Sequence, residues 1–99
     1  MKIQIQSLHF DASSSLTEFI TKKVSKLEKY VDGVQVADVI LKVVKPEISN
    51  NKDASVKLIV KSGEFFANKT ADSFEEAIDL SVEALEKQLM KFKEKTRVK

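Results

Sequence analysis

The chain has 99 residues, no cysteine, 17 basic side chains against 15 acidic ones, and a formal net charge of +2. That length supports one domain with a single modest core. The composition excludes disulfides and thiolate metal sites, and no apolar run approaches the roughly 18 residues needed to span a bilayer. So small a net charge leaves any affinity for polyanions to local clustering of bases.

The N-terminus, MKIQIQSLHF, lacks the apolar segment of a signal peptide and reads as a strand. Over Lys2–Leu8 apolar and polar residues alternate, with Ile3 and Ile5 on one side. Asp11–Ser15 is a polar break. Ser14 or Ser15 is expected to cap the next helix, with Glu18 at capping-box spacing from Ser15. Leu16–Val31 is predicted helical: Leu16, Phe19, Ile20, Val24, Leu27 and Val31 keep the spacing of one face. On the same helix Lys22, Lys26 and Lys29 recur at i, i+4 and i+7, with Lys23 beside them. Asp32-Gly33 ends it, with Gly33 expected in the left-handed conformation of a C-cap.

Gln35–Lys45 is predicted to be a long strand with Ala37, Val39, Leu41 and Val43 on one face. Pro46 ends it or marks an edge, and Glu47–Asp53 is a polar connection. Ala54–Lys61 is a third strand with Ala54, Val56, Leu58 and Val60 on its apolar face. Ser62-Gly63 fits a tight turn into a fourth strand, Glu64–Lys69, carrying Phe65 and Phe66.

Ser73–Arg97 reads as one long helix of opposite-charged halves. Ser73 and Glu76 have capping-box spacing. Between Asp72 and Glu86 there are six acids and no base; from Lys87 to Lys99 there are six bases and one acid, Glu94. Acids first and bases last suit the helix dipole. The four-residue recurrence of Lys87, Lys91 and Lys95 goes further and stacks them in one stripe. A helix of this length spans roughly 36 Å, more than a small domain needs to cover its core, so its basic end is expected to overhang.

The order β-α-β-β-β-α predicts an α+β two-layer sandwich: a four-stranded sheet with both helices on one face, and a topology resembling a double-stranded-RNA-binding domain. The opposite sheet face would show Ile40, Val44, Ile59 and Phe66 among lysines, open to solvent or used for weak self-association. Catalytic signals are poor. His9 is the single histidine, so no paired-histidine metal site or histidine relay is available. Glu75, Asp79 and Glu83 share a helix face, but capping and dipole effects explain acids there. Two glycines exclude a glycine-rich phosphate loop. What remains is binding: lysines on two adjacent helices make a positive surface suited to RNA phosphates, reading charge and shape rather than base identity.

Lys26–Asp32 (KLEKYVD), Val39–Val43 (VILKV), the Ser62–Glu64 turn and Ala77–Lys95 resemble the ribosome hibernation-promoting factors, also called ribosome-associated inhibitor or sigma-54 modulation proteins. The resemblance implies one ribosome-binding domain over 1–99, without the C-terminal dimerisation domain of long members. It implies cytoplasmic binding to the small ribosomal subunit and its ribosomal RNA, in the channel of messenger and transfer RNA. Translation would then be inhibited sterically and reversibly in stationary phase or stress, with no reaction catalysed. No cofactor, membrane or small-molecule substrate is expected, and pairing of ribosomes would need a separate partner. The family's basic contacts map onto Lys23, Lys26, Lys87, Lys91, Lys93 and Lys95, with Lys22 and Lys29 in support. The chain departs from the family at the helix entry, where Ser73, Phe74 and Glu75 replace an Asp-Met-Tyr pattern, and at Ala84, where a base is common. The rival reading is a self-associating protein-interaction module without RNA binding.

Overall fold

Alternating side chains build the sheet, and its register puts one polar and one apolar residue set on opposite faces. A computed structural model describes residues 1–8, 10–31, 33–44, 51–61 and 63–97, with side chains described as far as Phe92. His9, Asp32, Pro46 and Ser62 lie outside the described residues. The elements are β1 (Lys2–Ser7), α1 (Ser14–Ser25) continued by a 3-10 turn (Lys26–Lys29), β2 (Val34–Val43), β3 (Lys52–Val60), β4 (Gly63–Ala71) and α2 (Phe74–Arg97). The strands lie in the order β1-β2-β3-β4. β1 runs parallel to β2, as a helical crossover requires; β2, β3 and β4 form an antiparallel meander.

Cross-strand rows show the two faces. Ile5, Val39, Val56 and Ala67 align across all four strands on the helix side, as do Ile3, Ala37, Leu58 and Phe65. Both helices cover this side. Leu16, Ile20, Val24 and Leu27 from the first helical segment join Ile78, Val82, Leu85 and Leu89 from α2 in one buried cluster with the strands. Each fully buried Leu or Ile contributes roughly 1.5–3 kcal/mol. Aromatic pairs hold both ends of α2. Phe74 stacks on Phe10 with centroids 4.9 Å apart, and Phe92 meets Phe65 edge-on at 5.4 Å. Between them Ser81, fully buried, donates its hydroxyl to the Ala54 carbonyl at 3.3 Å. Residues 93–97 continue the helix past the Phe92–Phe65 contact, and the molecule is elongated, 50 × 23 × 17 Å.

Several boundaries differ from expectation. Ser13 is the cap of α1, accepting from the Leu16 N–H at 3.1 Å. The Ser15–Glu18 box is therefore not the start; any of three consecutive serines satisfies the local signal, and only the backbone selects one. The α-helix stops at Ser25 rather than running to Val31, and its last turn tightens to 3-10 geometry, a common helix ending. Gly33 has a left-handed φ of 77°, as expected. It lies beyond the C-cap residue Tyr30, and its carbonyl accepts from the Lys61 N–H at 3.1 Å. Lys52 and Asp53, read as connection, belong to β3 because they pair with Val43 and Lys42. Strand pairing overrides polar composition there. At α2 the Ser73 half of the capping box forms, its hydroxyl oxygen accepting from the Glu76 N–H at 3.2 Å.

Candidate nucleic-acid interface

Two contacts set the relation of the helices. Lys23 Nζ lies 3.1 Å from Asp79 Oδ1. Seven residues further along both segments, the Tyr30 hydroxyl donates to Glu86 Oε2 at 3.2 Å. Equal steps mean that the helices run parallel and in register. Their N-terminal ends, with Glu75 and Glu76 on α2, therefore share one end of the molecule. In this register Lys22–Lys29 lie beside Ile78–Leu85, and the lysine-bearing half of α2 runs on past the end of the first helical segment.

The 3-10 turn decides which side chains line the seam. With three residues per turn, i and i+3 eclipse. Lys26 and Lys29 therefore stand in one outward line, and Tyr30 follows the line of Leu27, which is fully buried. Tyr30 is thus swung toward α2. The Glu86 carboxylate raises the Tyr30 pKa, first through the hydrogen bond, then through its negative charge, with a lesser effect of burial.

The expected lysines divide into groups. Lys22, Lys26 and Lys29 are exposed on the outer surface. Lys23 is half-buried in the seam, held by Asp79 and 5.5 Å from the centre of the Phe19 ring. Lys87 is exposed and lies 3.6 Å from Glu83, one turn back; Lys91 is exposed. Lys93 and Lys95 lie within α2, and their side chains lie outside the described residues. At 100° per residue, Lys87 and Lys91 are rotated about 100° and 140° from Glu86, which points at α1. Lys87 and Lys91 thus face outward and away from the seam. The two lysine sets follow one another along the helix layer, and Asp79 and Glu86 occupy the seam between the helices.

Such a surface supplies flexible point charges for phosphates on either side of a seam whose acids are already engaged. Its geometry suits a backbone or groove shape rather than a base sequence. Asp79 and Glu83 are each engaged by lysine, and among the described residues no cluster of three or more candidate ligands is placed to hold a metal ion. Sequence spacing located the lysines but missed Tyr30 and the roles of Asp79 and Glu86. The available signal was the alternation of acids at Asp79 and Glu86 with the i+7 step from Lys23 to Tyr30. It has meaning only once the helices are known to be parallel.

Residues 3–97 match the family model described as sigma 54 modulation protein / S30EA ribosomal protein. The chain belongs to this family. Among curated relatives it is 34% identical over 97 residues to the ribosome hibernation promoting factor of Escherichia coli K12, covering 98% of both chains. To that of Azotobacter vinelandii it is 30% identical over 95 residues, covering 96% of this chain and 85% of the relative. Among solved structures, a ribosomal subunit interface protein from Coxiella burnetii superposes with a TM-score of 0.83 at 25% identity, over 94% of this chain and 98% of that one. The N-terminal domain of Thermus thermophilus Protein Y shares the fold, with a TM-score of 0.79 at 22% identity. This S30EA-family chain thus has the family's strand order and its two-helix layer.

Proposed function

We propose that this protein is a ribosome hibernation factor that occupies the small ribosomal subunit in the channel of messenger and transfer RNA. It contacts ribosomal RNA through Lys22, Lys26 and Lys29 on one helix and Lys87, Lys91, Lys93 and Lys95 on the other. Lys23 joins them when it exchanges Asp79 for phosphate. Inhibition is steric and reversible: the bound protein fills space that messenger and transfer RNA need, in stationary phase or stress, and no bond is made or broken. The observation that carries this reading is the parallel register of the helices, which makes the two lysine sets follow one another along the helix layer, Lys22–Lys29 beside the middle of α2 and the α2 lysines beyond them. Family membership and the names of the relatives support the ribosome as partner, and a ribosome-bound protein of this kind is expected to act in the cytoplasm. No helix is long and apolar enough to cross a membrane among the described residues.

The test is sucrose-gradient sedimentation of purified ribosomes and separated subunits with added protein. Binding should saturate near one protein per small subunit, weaken steeply with salt, and be competed by messenger and transfer RNA. Salt-insensitive binding, or full inhibition of translation far below one protein per ribosome, would overturn the reading.

A further inference from the structure

The helices cover only one face of the sheet. The other carries a depression of about 420 Å³ whose walls include Gln4, Gln6, Asp38, Ile40, Lys57 and Phe66. Gln4, Asp38, Lys57 and Phe66 form one row across all four strands. Phe66 is 56% exposed, the most exposed large hydrophobic side chain among the described residues. Lys57 is engaged by Glu64 at 3.7 Å. The side chains of Gln4, Gln6 and Asp38 have no hydrogen-bond or ion-pair partner among the described residues. The depression thus has an aromatic wall at Phe66 and, two strands or roughly 10 Å away across Lys57, a carboxylate that is free to bond, with two free amides on the strand beyond it.

We propose that this depression is a site for an unpaired guanine base of RNA, with Phe66 as the stacking surface and Asp38 as the reader of the base edge. The proposal rests on the ribosome-binding reading above and adds a second RNA contact on the opposite side of the molecule. With Lys57 engaged by Glu64 and the Asp38 carboxylate unpaired in the same depression, a phosphate would meet acids as well as one ammonium, and the site does not favour it. A flat, uncharged ring with polar edges fits it. A carboxylate can only accept hydrogen bonds. Guanine alone among the four bases offers two adjacent donors, N1–H and the N2 amino group, to match its two oxygens. The Gln4 and Gln6 amides can donate to O6.

A second copy of the chain fits less well. The core of a protein interface is depleted in charge, whereas Phe66 and Ile40 are interleaved here with Asp38, Lys57 and two glutamines. Strand addition at β4 is opposed too, because Gln88 Nε2 donates to the edge carbonyl of Phe66 at 2.9 Å.

The experiment is amide chemical-shift mapping of the labelled full chain with GMP, AMP, CMP, UMP and inorganic phosphate. GMP should shift Gln6, Asp38, Ile40, Lys57 and Phe66, with affinity roughly tenfold above the other nucleotides, as expected for a matched bidentate base contact. Phe66→Ala should remove the response. Asp38→Asn should keep a dispersed spectrum and lose the preference for guanine. The proposal is overturned if the outer face does not respond, if four nucleotides or phosphate alone act equally, or if a dimer sensitive to Phe66→Ala forms instead. Ribosome sedimentation run in parallel separates the two readings. No guanine response with intact, lysine-dependent ribosome binding sinks only this site, whereas loss of wild-type ribosome binding sinks the broader reading.

Discussion

The Lys23 ammonium reaches across the helix seam to lie 3.1 Å from the Asp79 carboxylate. A lysine that resembles a family RNA contact is therefore engaged within the chain, and Asp79 competes with phosphate for it. We expect Asp79→Asn to tighten ribosome binding several-fold and to steepen its salt dependence by up to about one unit as Lys23 is released. Both groups are substantially exposed, so the pair contributes at most about 0–1 kcal/mol and folding stability should change little. Unchanged or weaker binding by the folded variant would show that Lys23 does not meet RNA.

Tyr30 is the single tyrosine, and its hydroxyl donates to Glu86. Its phenolate should appear in an ultraviolet absorbance titration at a pH above the ordinary value of 10.0. Glu86→Gln should bring the midpoint down. The sign for stability follows from linkage: a pKa raised in the folded state favours the protonated form there. The contribution is full below the unfolded pKa and is lost as pH rises through the folded one. Stability of the wild-type protein should therefore converge on that of Glu86→Gln at strongly alkaline pH. Equal titration midpoints in the two proteins would rule out the bond in solution.

The triple change Lys87→Ala, Lys91→Ala, Lys95→Ala removes the α2 stripe. Alanine is a strong helix former, and Lys87 and Lys91 are exposed, so the fold should survive. Loss of favourable dipole interactions costs at most about 0.3–1 kcal/mol for each lysine. Ribosome affinity should fall strongly, with a salt slope shallower by up to about one unit for each lost phosphate contact. The control, Glu75→Gln with Glu83→Gln, should bind as well as wild type or slightly better. Wild-type affinity and slope in a folded triple variant would place the RNA surface elsewhere.

Asp53 is only 5% exposed although it lies on the outer side of the sheet. Its carboxylate accepts from Asn68 Nδ2 at 3.0 and 3.1 Å and from the Thr70 hydroxyl at 3.0 Å. Asn68→Leu leaves that charge with fewer donors and should cost about 1–3 kcal/mol, read as a lower urea midpoint. Asp53→Asn with Asn68→Leu should recover part of the loss. No loss on Asn68→Leu alone would mean that water replaces the amide at no cost.

The sequence alone determined the alternating strand faces, the two amphipathic helices and the positions of the lysines, because each is written in a local period of two or 3.6 residues. Val39, Val56 and Leu58 are buried, and Lys22 and Lys87 exposed, on the sides their spacing indicates. Local signals could not choose Ser13 over its neighbours, because three consecutive serines offer the same cap, nor assign Lys52 and Asp53 to β3, because that depends on register with Val43 and Lys42. Nor could they reveal that Asp79 and Glu86 occupy the seam between the lysine-bearing helices. That arrangement requires the 3-10 tightening at Lys26–Lys29, which turns Tyr30 inward, and the parallel packing of both helices on one sheet face. Leu27, within the 3-10 turn, and Leu85 of α2 are buried in one shared core. Charge is legible residue by residue, but which charges meet is decided by the rotation and relative direction of packed helices, which only the tertiary structure sets.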